Sequence, residues 1–214
     1  MKTIKLLLLT LTTTIAFSQT KLYVHPDADN YVANTETMAI LPFDVQVKLR
    51  PKQLKDFTQD QIVEMNKAEA IDIQRGMYSW FLKRDQRGQS NFDVLPIQKT
   101  NAELAKAGVD IHNLTMYSPS DLGKILNVDV VIMGTFETSK PMSNAAGAAL
   151  ALLGGAFFST QNAVANIDFY NTEDDELVVN YYKKVSGSLG TDAQDMINIL
   201  MRKVTRRIPY TKSK

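Results

Sequence analysis

The sequence predicts an α/β fold (α+β mixed): a mixed β-sheet flanked by helices, ending in a β-hairpin and a C-terminal helix. Three observations carry this. Val128, Val130, Val131, Ile132 and Met133 form a nearly continuous apolar run, the pattern of a strand covered on both faces. Ala163, Ala165, Ile167 and Phe169 alternate with polar residues, and a polar turn and a second strand-like stretch follow, the pattern of a hairpin with one face on a core. Two longer segments, residues 58–84 and 191–208, repeat apolar residues at helical spacing.

Composition bounds the function. The chain has 214 residues, 44% hydrophobic and 22% charged, enough for one domain with a sizeable core. Its 24 basic and 23 acidic residues nearly cancel, which excludes nucleic acid as a bulk electrostatic partner. There is no cysteine, so no disulfide, no thiolate metal site and no lipid-bearing cysteine is expected.

Residues 1–18 read as a secretory signal peptide. Lys2 and Lys5 precede a mostly apolar stretch, and Ala16 and Ser18 are small residues at positions −3 and −1 of a cut before Gln19. Residues 19–37 are polar and turn-rich and read as an extended lead-in. Asp27, Asp29 and Asn30 are oxygen donors there, but neither a glycine turn nor a downstream Glu completes a calcium loop. Residues 38–214 read as a single domain.

Within it, residues 38–43 (MAILPF) form a buried strand ending at Pro42. Val45, Val47 and Leu49 alternate and suggest an edge strand or a hairpin arm. Thr58 and Gln61 fit a capping box opening a long helix, whose stripe is Val63, Ala70, Ile73, Met77 and Phe81. Gly88 suits its exit. Residues 92–97 give a second short strand with an internal proline. Thr100 and Glu103 suggest a second capping box, opening a small helix that Gly108 closes. Ser118 and Pro119 mark a third helix start, and Asn127 suits its end. The doubly covered strand follows, with Gly134 leaving room for a close neighbour.

Residues 142–158 form an apolar Ala/Gly-rich insertion. From Ala145 to Phe158 there is no charge, and six of the fourteen residues are alanine. Gly147, Ala151 and Gly155 recur every four residues, placing small side chains on one helix face. Two readings stand. The segment contacts a membrane or a partner through Gly147, Leu150, Ala151, Leu152, Leu153, Gly155, Phe157 and Phe158, or it is a buried or unstructured insertion. At about 14 apolar residues it is shorter than the ~20 needed to span a bilayer.

The hairpin covers residues 163–185, with four acids at 173–176 as a solvated turn. Thr191 and Gln194 suggest a third capping box. The last helix carries Ala193, Met196, Ile197, Leu200, Val204 and Ile208. Its Arg202, Lys203, Arg206 and Arg207 suit either the helix dipole and a solvated face or contact with anionic lipid or peptidoglycan.

No residue set points to a reaction. There is no GxGxxG, no GxxxxGK[ST] and no GxSxG. His25 and His112 are the two histidines, far apart in loop-like stretches. The paired carboxylates lie in the acidic turn, where solvated groups suit general acid work poorly. No catalytic residue, cofactor or metal ligand is expected.

The order of elements, MAILPF, a long helix, a strand, then DLGKILNVDVVIMGTFE, resembles the envelope family of the curli secretion channel subunit CsgG. The penicillin-binding-protein activators and the TolB amino-terminal domain share the pattern. Residues 163–179, AVANIDFYNTEDDELVV, are similar to its hairpin, with an acidic turn in place of Thr-Gly. The resemblance covers about residues 38–208. It implies an anticodon-binding-domain-like sheet and a non-catalytic role in binding or assembly with an envelope protein, in the periplasm or at the outer membrane. It also implies, as an alternative, an oligomeric membrane-inserting channel-like subunit. An exported hydrolase is the remaining enzyme alternative. The chain departs from the channel pattern in lacking a lipid-bearing cysteine, barrel-like alternation in 142–158, and room for a second membrane hairpin between 185 and 190.

Overall fold

A computed structural model describes residues 20–49, 51–55, 57–111, 113–139, 162–186 and 193–211. The signal peptide, His112, the insertion at 142–158 and the Thr191–Gln194 box lie outside the described residues.

The apolar run becomes β5 (Val130–Thr138), and the sheet is built outward from it. β5 pairs in parallel with β2 (Thr37–Ile40) at its first half and with β3 (Asp44–Val47) at its second. Leu41, Pro42 and Phe43 carry the chain from one to the other. On its other side β5 pairs antiparallel with β6 (Asn162–Asn171), which pairs antiparallel with β7 (Leu177–Ser186). β1 (Thr20–Val24) closes that end against β7, and β4 (Asp93–Val94) the other end against β2. The order is β1-β7-β6-β5-β2-β4, with β3 also on β5. The expected mixed sheet is therefore present, with β5 central.

The two faces of β5 bury different sets. Val130, Ile132 and Phe136 join Ile40, Ile167 and Phe169 under α3 (Gln59–Asp85) and α6 (Ala193–Arg207). Val131 joins Ala39 and Leu41 under α4 (Ile97–Lys106) and α5 (Pro119–Leu126). Val47, Leu49 and Met65 make a small third cluster. Gly134 is the close approach the sequence suggested. A Cβ there would meet the Asn166 carbonyl oxygen and come within 2.7 Å of Phe43 Cε1.

Capping follows the chemistry at two helices. The Thr58–Gln61 box forms in full. Ser118 Oγ accepts from the Asp121 amide at 3.1 Å, and Asn127 ends α5 in the left-handed region at φ 52°. The Thr100–Glu103 box does not form. α4 starts earlier, with Pro96 as N-cap, so Thr100 lies inside the helix, buried, with its hydroxyl on the Pro96 carbonyl. Along α3 the stripe is buried at Ala70, Ile73, Met77 and Phe81, but Val63 is exposed.

Residues 19–37 differ most from the expected extended lead-in. β1 is a paired strand, and residues Ala28–Ala33 form a short helix, α1; one further turn, α2 (Pro51–Leu54), follows β3. α1 buries Ala28 and sets Tyr31 and Val32 against the core. The polar side chains hid a strand whose partner, β7, lies far along the chain, Leu22 facing Tyr181.

Candidate functional site

The helices do not cover the sheet evenly. α3 and α6 cover one face under β5, β6 and β7. On the other face α4 and α5 cover β2, the start of β5 and only the Tyr170 end of β6. Beyond them, register places Met133 beside Asp168, Thr135 beside Asn166, Asn166 beside Tyr182 and Asp168 beside Asn180. β1 extends the row, with Tyr23 beside Asn180 and Lys21 beside Tyr182. This open face is polar and aromatic, and no described helix crosses it.

Its centre is a network. Asn180 Nδ2 donates to Asn166 Oδ1 at 2.8 Å and to Asp168 Oδ1, and Asn166 Nδ2 donates to Asp168 Oδ2 at 3.2 Å. Burial pushes the Asp168 carboxyl above its ordinary pKa, against the hydrogen bond from Asn180. Burial and the nearby Asp168 charge likewise raise the Tyr170 phenol. Lys21 Nζ lies 5.9 Å from the centre of the Tyr182 ring.

Where the open face meets the α4–α5 side there is a cleft of about 350 Å³. Met133, Thr135, Asp168 and Tyr170 form its floor, and Ile111, Leu114, Tyr117 and Pro119 its wall. Asp44 and Asp175 stand at its rim. Met116, 76% exposed, follows Leu114 in the same short 3-10 turn. An apolar wall beside a carboxylate floor suits contact with an amphipathic partner surface. A larger hollow of about 510 Å³ lies between α1, residues 88–92 and Tyr210, away from this face.

The acidic turn is more than a solvated loop. Asp175, at φ 62°, accepts from the Ser120 amide at 2.6 Å and the Ser120 hydroxyl at 3.0 Å, fastening the hairpin to the start of α5. Asp174 accepts from the Tyr31 hydroxyl at 2.7 Å. That bond, with burial and the surrounding acids, pushes the Tyr31 phenol up to about 12. Asp175→Ala is expected to lower stability by about 1.5–3 kcal/mol, since two hydrogen bonds to a charged acceptor are lost. A urea midpoint measures it, and an unchanged midpoint would show the turn to be only solvated.

His25 sits beside Glu176, Nε2 to Oε1 at 3.6 Å, and edge-on to Tyr31. His112 lies outside the described residues. Among the described residues no group of three or more His, Cys, Asp or Glu is placed to hold a metal. No described helix is long and apolar enough to cross a membrane. The contact set Gly147, Leu150, Ala151, Leu152, Leu153, Gly155, Phe157 and Phe158 lies outside the described residues, in the stretch of sequence that links β5 to β6. The open face is a site the sequence did not single out. The signal for it was the polar half of the β6 alternation, Asn166 and Asp168.

No family model matches the chain, and no curated protein matches it in sequence. Several solved structures are similar in form. The PelC dodecamer from Paraburkholderia phytofirmans matches at 10% identity and a TM-score of 0.41, over 92% of this chain and 99% of that one. Lipoprotein GNA1162 from Neisseria meningitidis matches at 9% identity and 0.46, over 80% and 96%. The LpoB C-terminal domain from Salmonella enterica matches at 5% identity and 0.30, over 75% and 92%.

Proposed function

We propose that this is an exported, non-catalytic cell-envelope protein that binds or assembles with another envelope protein, in the periplasm or at the outer membrane. The observation that carries the reading is the uneven covering of the sheet. One face is packed under two helices, and the other presents Asn166, Asp168, Asn180, Tyr182 and an amphipathic cleft. Tyrosines around a hydrogen-bonded polar centre, Tyr23 exposed and Tyr182 half-buried, are the composition of a contact surface. The signal-like residues 1–18 support export, and the resemblance to the CsgG, penicillin-binding-protein activator and TolB group supports the envelope role.

A second reading, an oligomeric membrane-inserting subunit, rests on residues 142–158. They are uncharged from Ala145 to Phe158 and connect β5 to β6. Fractionation of the exported protein with and without residues 143–158 separates the two. The adaptor reading predicts a wild-type protein released by salt or already soluble, and unchanged by the deletion. Tight membrane association that the deletion abolishes would contradict it and favour insertion.

A further inference from the structure

Among the described residues no strand pairs with the outer edge of β1. At the opposite end β4 has two residues and Pro96 follows closely, so pairing stops there. β1 has neither a proline nor a register shift against β7. Leu22, Tyr23 and Val24 are 41%, 45% and 37% exposed, a contiguous apolar run on an edge that folded proteins ordinarily blunt.

The backbone direction follows from one bond. The His25 amide donates to the Val178 carbonyl at 2.8 Å, continuing the register in which Val24 faces Val179. Residues of an antiparallel strand turn their amides and carbonyls alternately to one neighbour and the other. Lys21 and Tyr23 therefore turn theirs toward β7, and Thr20, Leu22 and Val24 turn theirs outward.

We propose that this edge pairs antiparallel with β1 of a second copy of the chain, about a two-fold axis through Leu22. The strand is complementary to itself in that register. Leu22 faces Leu22 of the second copy and exchanges both of its backbone hydrogen bonds. Thr20 faces Val24. Lys21 faces Tyr23 in the closer, non-hydrogen-bonded pair, where its ammonium meets a tyrosine ring. Only this axis overlaps all five residues of β1, and an axis through Lys21 would set two ammonium groups face to face. The closed two-fold contact uses the same patch on both copies. It also joins the two open faces, since Lys21 and Tyr23 lie in the row of Tyr182 and Asn180. The pairing stands on the strand edge alone, independently of the envelope reading.

The absence of cysteine gives a direct test. In a hydrogen-bonded pair the Cα atoms are about 5.5 Å apart, within the span of a disulfide. Leu22→Cys is expected to form a disulfide-linked dimer under mild oxidation much faster than the exposed control Met116→Cys. Thr20→Cys and Val24→Cys are expected to link when mixed and not alone. Wild-type protein in sedimentation equilibrium is expected to show a monomer–dimer exchange. Leu22→Pro removes only an outward amide and is expected to leave the circular dichroism intact and the protein monomeric. Tyr23→Lys is expected to weaken the dimer on the order of tenfold. A wild-type protein monomeric at every concentration, a Leu22→Cys that links no faster than the control, or a dimer that persists in Leu22→Pro would each overturn the pairing.

Discussion

Gly134→Val is expected to lower stability by more than about 3 kcal/mol, enough to leave much of the protein unfolded. The cause is backbone proximity at the middle of the sheet. A side chain at 134 would strike the Asn166 carbonyl on one side and the Phe43 ring on the other, Cε1 lying 2.7 Å from the new Cβ. Neither can withdraw freely. The carbonyl belongs to β6, which pairs with β5 along its whole length, and Phe43 is buried where the chain passes from β2 to β3. Thr135→Val is the control. It is the next residue, exposed on the open face, and is expected to shift the urea midpoint little. Comparable midpoints for the two variants would show that β5 is not packed as described.

Phe169→Ala is expected to cost about 3–5 kcal/mol. Phe169 is fully buried on β6, stacked on Tyr210 with ring centroids 5.6 Å apart and edge-on to Phe81 at 6.5 Å. Removing the ring opens a cavity among β6, α3 and the C-terminal turn at once. For a domain of this size that corresponds to a fall in Tm of roughly 6–20 °C, measurable by calorimetry. A shift under 2 °C would mean that the C-terminal turn does not seal this core.

Much of this packing was legible in the residues. The unbroken apolar run at 128–133 meant two covered faces, and β5 has a separate core cluster on each. The alternation at 163–169 gave the buried face of β6 residue by residue. Two of the misreadings share a cause, because each depends on a partner distant in sequence. β1 looks polar, since Lys21 and Tyr23 lie on the open face, and only β7 makes it a strand. The acids at 174 and 175 look solvated, since Tyr31 and Ser120 are 143 and 55 residues away. The Thr100 box failed because Pro96 offered an earlier start. The polar residues of β6 were visible as the outward half of the alternation. That the helices leave them uncovered is a property of the assembled layers, which no local pattern encodes.

The central claim is that the open sheet face contacts another envelope protein. In-cell photocrosslinking tests it most directly, with a photoreactive residue placed singly at Thr135 and Tyr182 on that face, and at Arg75 on the exposed side of α3 as the reference. The account predicts a discrete protein adduct in the envelope fraction from positions 135 and 182 and none from 75. No adduct from the open face, or the same adducts from position 75, would contradict it.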